Sequence, residues 1–320
     1  MLQPYDWPLE KLEHYRPPLT AEEDFDRFWE RTIQDALRAP VEAELESVDY
    51  PTGGVEVFRV TMEGFQGATL HGWFVRGAGG TRQPGLVLFH GYNWNYEGNI
   101  HEVVNWALHG YSVLAFSVRG QQGSGESLPS PHGHVAGWMT AGILSPDTYY
   151  YRGVYADLVR QLVWFQDRPE VDADRIGVAG GSQGGGLTLA AAALSPIPKV
   201  AVADYPYLAH FRRAVDIAPA GPYGEITEFL RQNGDPEVEA QVFRTLSYFD
   251  VMNLAPRIKV PTLVSSGLID QLTPPSTIFA AYHHLGSDVK DIKVYRYFGH
   301  EFIPRFHTEK LAWLMRYLQY

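Results

Sequence analysis

The residues that could do chemistry begin with Ser182, set in Gly180-Gly181-Ser182-Gln183-Gly184, a match to G-x-S-x-G. A serine hydroxyl is a weak nucleophile at its own pKa. It becomes a strong one when an imidazole takes its proton and a carboxylate holds that imidazole in the right tautomer. An acid and a histidine follow in that order: Asp270, after Thr262-Leu-Val-Ser-Ser-Gly-Leu-Ile269, and His300, after Val294-Tyr-Arg-Tyr-Phe-Gly299. Together the three could run acyl transfer through an acyl-serine. Taken singly, each partner has a plainer reading: Asp270 as a turn or cap residue before Thr273-Pro274-Pro275, His300 as ordinary loop beside Gly299. The chemistry also needs backbone N–H groups for an oxyanion. Gln183 supplies one, directly after the serine; His90-Gly91-Tyr92, just after a short apolar run, stands where the other belongs, with His90 itself read as structural.

Strand ends must position these residues. Ile176–Ala179 is an apolar run suited to a buried strand, and Leu187–Leu194, made of Ala, Leu and Thr, suits a helix, so Ser182 falls on the strand-turn-helix that its motif requires. Further strands are predicted over Leu86–Phe89, Tyr111–Phe116, Val200–Asp204, Thr262–Ser266 and Ile292–Tyr297. Helices are predicted over Ile100–Leu108, Asp147–Phe165, Ser276–Leu285 and Phe302–Leu318. The alternation implies an α/β fold, a mainly parallel sheet covered by helices on both faces, in which functional residues gather at the carboxyl ends of strands.

Val55–Met62 and Ala68–Val75 predict a hairpin-like start across Glu63 to Gly67. Ahead of it, residues 1–20 read as an extended, aromatic and proline-rich arm, and Ala21–Leu37 as a packing helix with Thr20 as N-cap. From about 207 to 255 the strand rhythm stops, and a helical cap inserted over the sheet is expected. Residues 119–142 form a glycine-rich loop whose length points to function or an interface.

A chain of 320 residues with 45% hydrophobic content can bury a large core, and residues 1–320 are expected to form a single α/β-hydrolase domain. The net charge of −11 opposes nucleic acid and anionic membrane surfaces as partners. Without cysteine there is no disulfide, thiolate metal site or Cys nucleophile. The first residues lack the apolar core of a signal peptide, and no apolar run reaches the ~18 residues of a membrane span, so a cytoplasmic protein is expected. His132, His134, His283 and His284 show no ligand pattern. His300-Glu301 does not begin H-E-x-x-H, because Pro304 stands where the second His would be. No metal and no cofactor are expected.

With those residues in place, the chain resembles carbohydrate esterase family seven, the acetyl xylan esterases that also act as cephalosporin C deacetylases, and looks closest to its Bacillus-type members. The likeness runs from Asp24-Phe-Asp-Arg-Phe-Trp29 to the last helix. Its hallmarks here are Arg119-Gly120-Gln121, Gly180-Gly-Ser182-Gln-Gly184 and His300-Glu301. Gly133-His-Val-Ala-Gly-Trp-Met139, Tyr149-Tyr-Tyr-Arg152 and Pro274-Pro-Ser-Thr-Ile-Phe-Ala280 also resemble the family. One departure is a lengthened, glycine-enriched loop after Gln121.

The resemblance implies Ser182 as nucleophile with Asp270 and His300, and the amides of Tyr92 and Gln183 as oxyanion hole. It implies Arg119, Gln121 and Glu301 as structural markers around the site, with Tyr207 on the pocket wall. It further implies small acetylated substrates, among them short xylo-oligosaccharides and cephalosporin C, and a homohexamer whose sites open into an inner chamber. A serine peptidase of the prolyl type shares the fold and triad, but about 50 residues ahead of the hairpin cannot build the propeller such enzymes carry.

Overall fold

The computed structural model describes residues 5–78, 81–125, 137–218 and 221–319. In chain order the elements are α1 (Leu9–Leu12), α2 (Phe25–Ala36), β1 (Ala43–Val48), β2 (Val55–Glu63), β3 (Thr69–Gly77), β4 (Gln83–Phe89), α3 (Ile100–Leu108), β5 (Ser112–Phe116), α4 (Tyr150–Gln166), β6 (Val171–Gly181), α5 (Gln183–Leu194) and β7 (Val200–Asp204). Then come α6 (Phe211–Ile217), α7 (Tyr223–Asn233), α8 (Pro236–Phe249), α9 (Val251–Leu254), β8 (Thr262–Gly267), α10 (Pro275–His284), β9 (Lys290–Tyr295) and α11 (Pro304–Leu318).

The strands form one sheet in the order β1-β2-β3-β5-β4-β6-β7-β8-β9. The pairs β1–β2, β2–β3 and β3–β5 are antiparallel, and all pairs from β5–β4 to β8–β9 are parallel. Alternate residues of the central strands face opposite cores, as the period of two demands. Leu86, Leu88, Val113, Ala115 and Val202 pack with Trp106 of α3 and Leu314 of α11. Val87, Phe89, Leu114, Phe116 and Val178 pack with Trp29 of α2, Tyr151 of α4 and Leu187 of α5. Burial on both faces is why these strands are unbroken apolar runs in the sequence.

Several expectations need correction. The first long helix starts at Phe25 with Asp24 at its N-cap. Thr20 instead exchanges two hydrogen bonds with Asn253, its N–H donating to Oδ1 at 2.9 Å and its hydroxyl accepting from Nδ2 at 3.0 Å. The Asn253 amide thus ties Thr20 to α9, and Asp24 takes the N-cap place next to Phe25. The N-terminal arm contains the one-turn α1 and lies on its own chain: Asp6 pairs with Arg213 and accepts the Ser276 N–H, each at 2.8 Å, and the Trp7 and Tyr15 rings meet edge to face at 4.6 Å.

β1 has no counterpart in the sequence reading, because Ala43-Glu-Leu-Glu46 alternates over only four residues in an edge strand largely exposed on both faces. The insertion after β7 consists of α6 to α9, followed by a 3₁₀ turn. Residues 126–136, and with them His132 and His134, lie outside the described residues; 119–125 and 137–149 are irregular and turn-rich.

β4 runs into His90, which is 3% exposed. Its Nε2 accepts the Val118 N–H at 2.8 Å, so Nδ1 carries the proton and donates to Gly91 O at 2.7 Å. Burial lowers its pKa from 6.5 to about 4. The folded value lies below the unfolded one, so the unfolded chain binds more protons between those pH values and stability falls as pH drops through the window. The full difference is about 3 kcal/mol. Urea unfolding of wild type and His90→Asn between pH 7 and pH 4 should show the wild type losing about 3 kcal/mol more than the variant; parallel curves would refute the assignment.

Candidate active site

β6 enters the Ser182 turn and α5 leaves it. Ser182 itself has φ 57 and ψ −119, a conformation that costs an L-residue energy and turns its side chain out of the bend. Three backbone hydrogen bonds hold it there: Ser182 N–H to Asp204 O at 3.0 Å, and Gly186 N–H and Tyr207 N–H to Ser182 O at 3.1 and 2.9 Å. The turn also presses on β4. A Cβ at Gly184 would lie 1.9 Å from Phe89 O, and one at Gly180 would lie 2.5 Å from the same atom, so only glycine permits this approach. Positive φ at non-glycine residues clusters nearby, at Asn93, Tyr205, Leu208 and His210.

The structure brings Ser182, Asp270 and His300 together. Ser182 Oγ lies 2.9 Å from His300 Nε2, and His300 Nδ1 lies 2.9 Å from Asp270 Oδ2. Asp270 is fully buried in the turn after β8, and its carboxylate accepts the N–H groups of Leu272 and Thr273 and the Thr273 hydroxyl at 2.8, 2.9 and 2.7 Å. Both readings of Asp270 therefore hold at once: it caps the turn and it holds the histidine. The His300 ring packs edge-on against Tyr205 at 4.9 Å. A rival acid, Asp204, ends the neighbouring β7, but its carboxylate is taken by Lys310 Nζ at 2.5 Å.

Gly91 and Ser182 are close, a Cβ at Gly91 falling 3.9 Å from the serine Cβ. This sets the Tyr92 segment beside the start of α5. Among the described residues, the amides of Tyr92 and Gln183 donate to no acceptor in the chain. Gln121 sits between the two segments: its Oε1 accepts the Asn93 N–H at 2.9 Å, and its Nε2 donates to Gln183 Oε1 at 2.9 Å. Tyr151 donates to the same Gln183 oxygen at 2.9 Å.

Arg119 is fully buried and grips Asp157 through Nε and Nη2 at 2.7 and 2.9 Å, with a further bond to Phe65 O at 2.6 Å. Burial pushes the Asp157 carboxyl up, and Arg119 pulls it back. Glu301 is exposed and accepts the Gly299 N–H at 3.1 Å, bracing the turn that carries His300. Tyr207, expected on the pocket wall, is only 2% exposed, with its ring 4.1 Å from Tyr223 and 6.5 Å from Tyr92, so it is packed between them.

Sequence reasoning missed Thr273, Tyr205 and Glu225. Thr273 had a signal, since its place three residues after an Asp and before two prolines is that of a capped turn. Glu225, on an otherwise ordinary helix, had none. Chemically the arrangement can deprotonate a serine, hold the resulting imidazolium and meet a developing negative charge with two fixed N–H dipoles.

A sequence model of the acetyl xylan esterase family (AXE1) matches residues 2–317. The chain superposes on the acetyl xylan esterase from Paenibacillus sp. R4 with a TM-score of 0.94 at 44% identity, covering 98% of this chain and 100% of that one. On acetyl xylan esterase 1 from Thermoanaerobacterium sp. JW/SL YS485 the TM-score is 0.91 at 35% identity, covering 97% and 99%. It is 26% identical over 267 residues to the acetyl esterase Axe7A of Xylanibacter ruminicola, an alignment that takes in 82% of this chain and spans 60% of that relative's length. The sheet is that of an α/β hydrolase, and the chain belongs to the acetyl xylan esterase family.

Proposed function

We propose that this chain is a serine esterase that removes acetyl groups from short xylo-oligosaccharides and other small acetylated alcohols, cephalosporin C included, through an acetyl-enzyme on Ser182. The observation that carries the reading is the hydrogen-bonded line from Ser182 Oγ through both nitrogens of His300 to Asp270, at 2.9 Å for each bond. Family membership and the acetyl xylan esterases it superposes on point to the same chemistry.

In this reading His300 Nε2 takes the Ser182 proton as Oγ attacks the acetyl carbonyl carbon. The carbonyl oxygen becomes an oxyanion that accepts from the Tyr92 and Gln183 N–H groups. Nε2–H then protonates the departing sugar oxygen, the C–O bond breaks, and the acetyl group stays on Oγ. Water, deprotonated by the same Nε2, attacks the acetyl carbon; the C–Oγ bond then breaks, Nε2–H returns its proton to Ser182 Oγ, and the acetic acid released ionises to acetate. Asp270 keeps Nδ1 protonated throughout. The half-buried Tyr92 ring, tied at its hydroxyl, crowds the space beyond the acyl carbon, so acetyl fits better than longer chains. Assembly as a homohexamer in the cytoplasm, its chamber excluding polymeric xylan, belongs to the same reading and rests on the family resemblance. Light scattering that finds only the 36.0 kDa monomer at micromolar concentration would remove it.

Four measurements test the chemistry. Ser182→Ala should fold normally and lose roughly 10⁴ to 10⁶ in turnover of p-nitrophenyl acetate, and a tenth of wild-type activity remaining would sink the nucleophile. Asp270→Asn should cost on the order of 10⁴ by presenting the wrong tautomer; near-wild-type rates would rule out Asp270 as the orienting acid. The ratio of kcat/KM for acetyl over butyryl esters should be about tenfold or more, because forcing extra methylenes into a filled pocket costs roughly 1 to 3 kcal/mol. Equal values would remove the Tyr92 argument, and cleavage of aminoacyl anilides in preference to acetyl esters would favour a peptidase.

A further inference from the structure

Glu225 lies in the first turn of α7, within the helical insertion, and its carboxylate is partly buried. Its Oε1 accepts the Tyr92 hydroxyl at 2.8 Å and its Oε2 accepts the Met139 N–H at 2.9 Å. The Tyr92 oxygen accepts the Trp138 N–H at 2.5 Å in turn. Gly137 makes room: a Cβ there would fall 2.1 Å from the Glu225 carboxyl carbon, and its φ of +118 is one that side chains disfavour. The partners of Glu225 among the described residues are thus neutral donors, and burial is the main influence raising its pKa. A carboxylate placed this way is costly to bury and strong as an acceptor, so it fixes the groups that reach it. The N-terminal end of a helix also favours negative charge.

Tyr92 is the residue so fixed. Its phenol is clamped at the hydroxyl by Glu225 and Trp138, while its amide stands beside Ser182, so the side chain is a strut between the insertion and the reacting centre. We propose that Glu225 is a positioning residue that, through the Tyr92 hydroxyl, holds the Tyr92 amide on the oxyanion and the Tyr92 ring against the acyl group. This rests on the proposed esterase reading and deepens it: selectivity for a short acyl chain is set from outside the acyl site, by one carboxylate of the insertion.

Loss of the carboxylate frees the ring and relaxes the amide. Glu225→Ala should lower kcat for p-nitrophenyl acetate about tenfold or more with KM within about twofold, since an oxyanion contact acts in the transition state. The acetyl-over-butyryl ratio of kcat/KM should fall by about tenfold. Tyr92→Phe, which removes only the hydroxyl, should reproduce both changes, and the double variant should be no worse than either single one, because both break the same link. Glu225→Gln keeps one acceptor and the packing and should fall between. If Glu225→Ala does not fold, Tyr92→Phe and Glu225→Gln give the same readouts.

The rate at which a fluorophosphonate labels Ser182 should fall in step with kcat, and it needs no ester substrate. An unchanged acyl ratio and labelling rate in an active enzyme, or additive losses in the double variant, would overturn the role of Glu225 and leave the esterase reading intact. A wild type that cleaves no acetyl ester would instead overturn the esterase reading, with fluorophosphonate labelling still deciding on Glu225.

Discussion

The site depends first on the closeness of two backbones. The Ser182 turn lies against the last carbonyls of β4 with no space for a side chain at Gly180 or Gly184. That contact sets the strained Ser182 beside Gly91, so the proposed nucleophile and the proposed oxyanion donors share one wall. Strain in the turn is opposed by three backbone hydrogen bonds and by the parallel ladder from Gly177 to Gly181 with β7. A site residue in a sparsely populated conformation persists only where its surroundings over-determine it, and here they do.

Around that contact the chain spends buried polar groups on position. Arg119 and Asp157 form an enclosed ion pair tied to the Phe65 backbone by both partners, Phe65 N–H donating to Asp157 at 2.6 Å. Removing either partner would strand a buried charge, so the pair enforces one arrangement of α4 against the loop after β5. Two residues on, Gln121 spans the gap between the Tyr92 and Gln183 segments. Arg119-Gly120-Gln121 thus reads as a three-residue anchor, one end locked to α4 and the other bridging the Asn93 amide and the Gln183 side chain.

The mainly parallel sheet, most of its strands and the meeting of Ser182, Asp270 and His300 were legible because each rests on a local pattern: apolar runs, a G-x-S-x-G between strand and helix, an acid and a histidine after later strands. What escaped has physical reasons. β1 is a short edge strand, exposed on both faces, whose alternation over Ala43 to Glu46 is too brief to stand out. Thr20 looked like a cap and is instead matched to Asn253, a partner distant in sequence. Asp270 gave two readings that the sequence set against each other, and a carboxylate with enough lone pairs to accept from Leu272, Thr273 and His300 satisfies both. Tyr207 reads as pocket wall, but it is buried between Tyr92 and Tyr223, rings that are distant in sequence and that the expected helical insertion does not place. Glu225 was invisible for the same reason.

The electrostatic character of the site follows from what surrounds it. Tyr149, Tyr151, Tyr207 and Tyr223 are buried, and burial raises the pKa of each, so they are neutral hydroxyls. His90 is neutral too, its pKa lowered by burial. The cations nearest in the network, Arg119 and Lys310, are matched by Asp157 and Asp204. No unmatched positive charge therefore waits among these residues to bind an anion in the ground state. Fixed dipoles in a low dielectric stabilise charge that appears during reaction far more than charge already present and solvated. Such a setting suits the proposed reaction, in which a neutral ester becomes an oxyanion: negative charge would be met while it develops on the carbonyl oxygen, and neither Arg119 nor Lys310 is free to retain an anionic product.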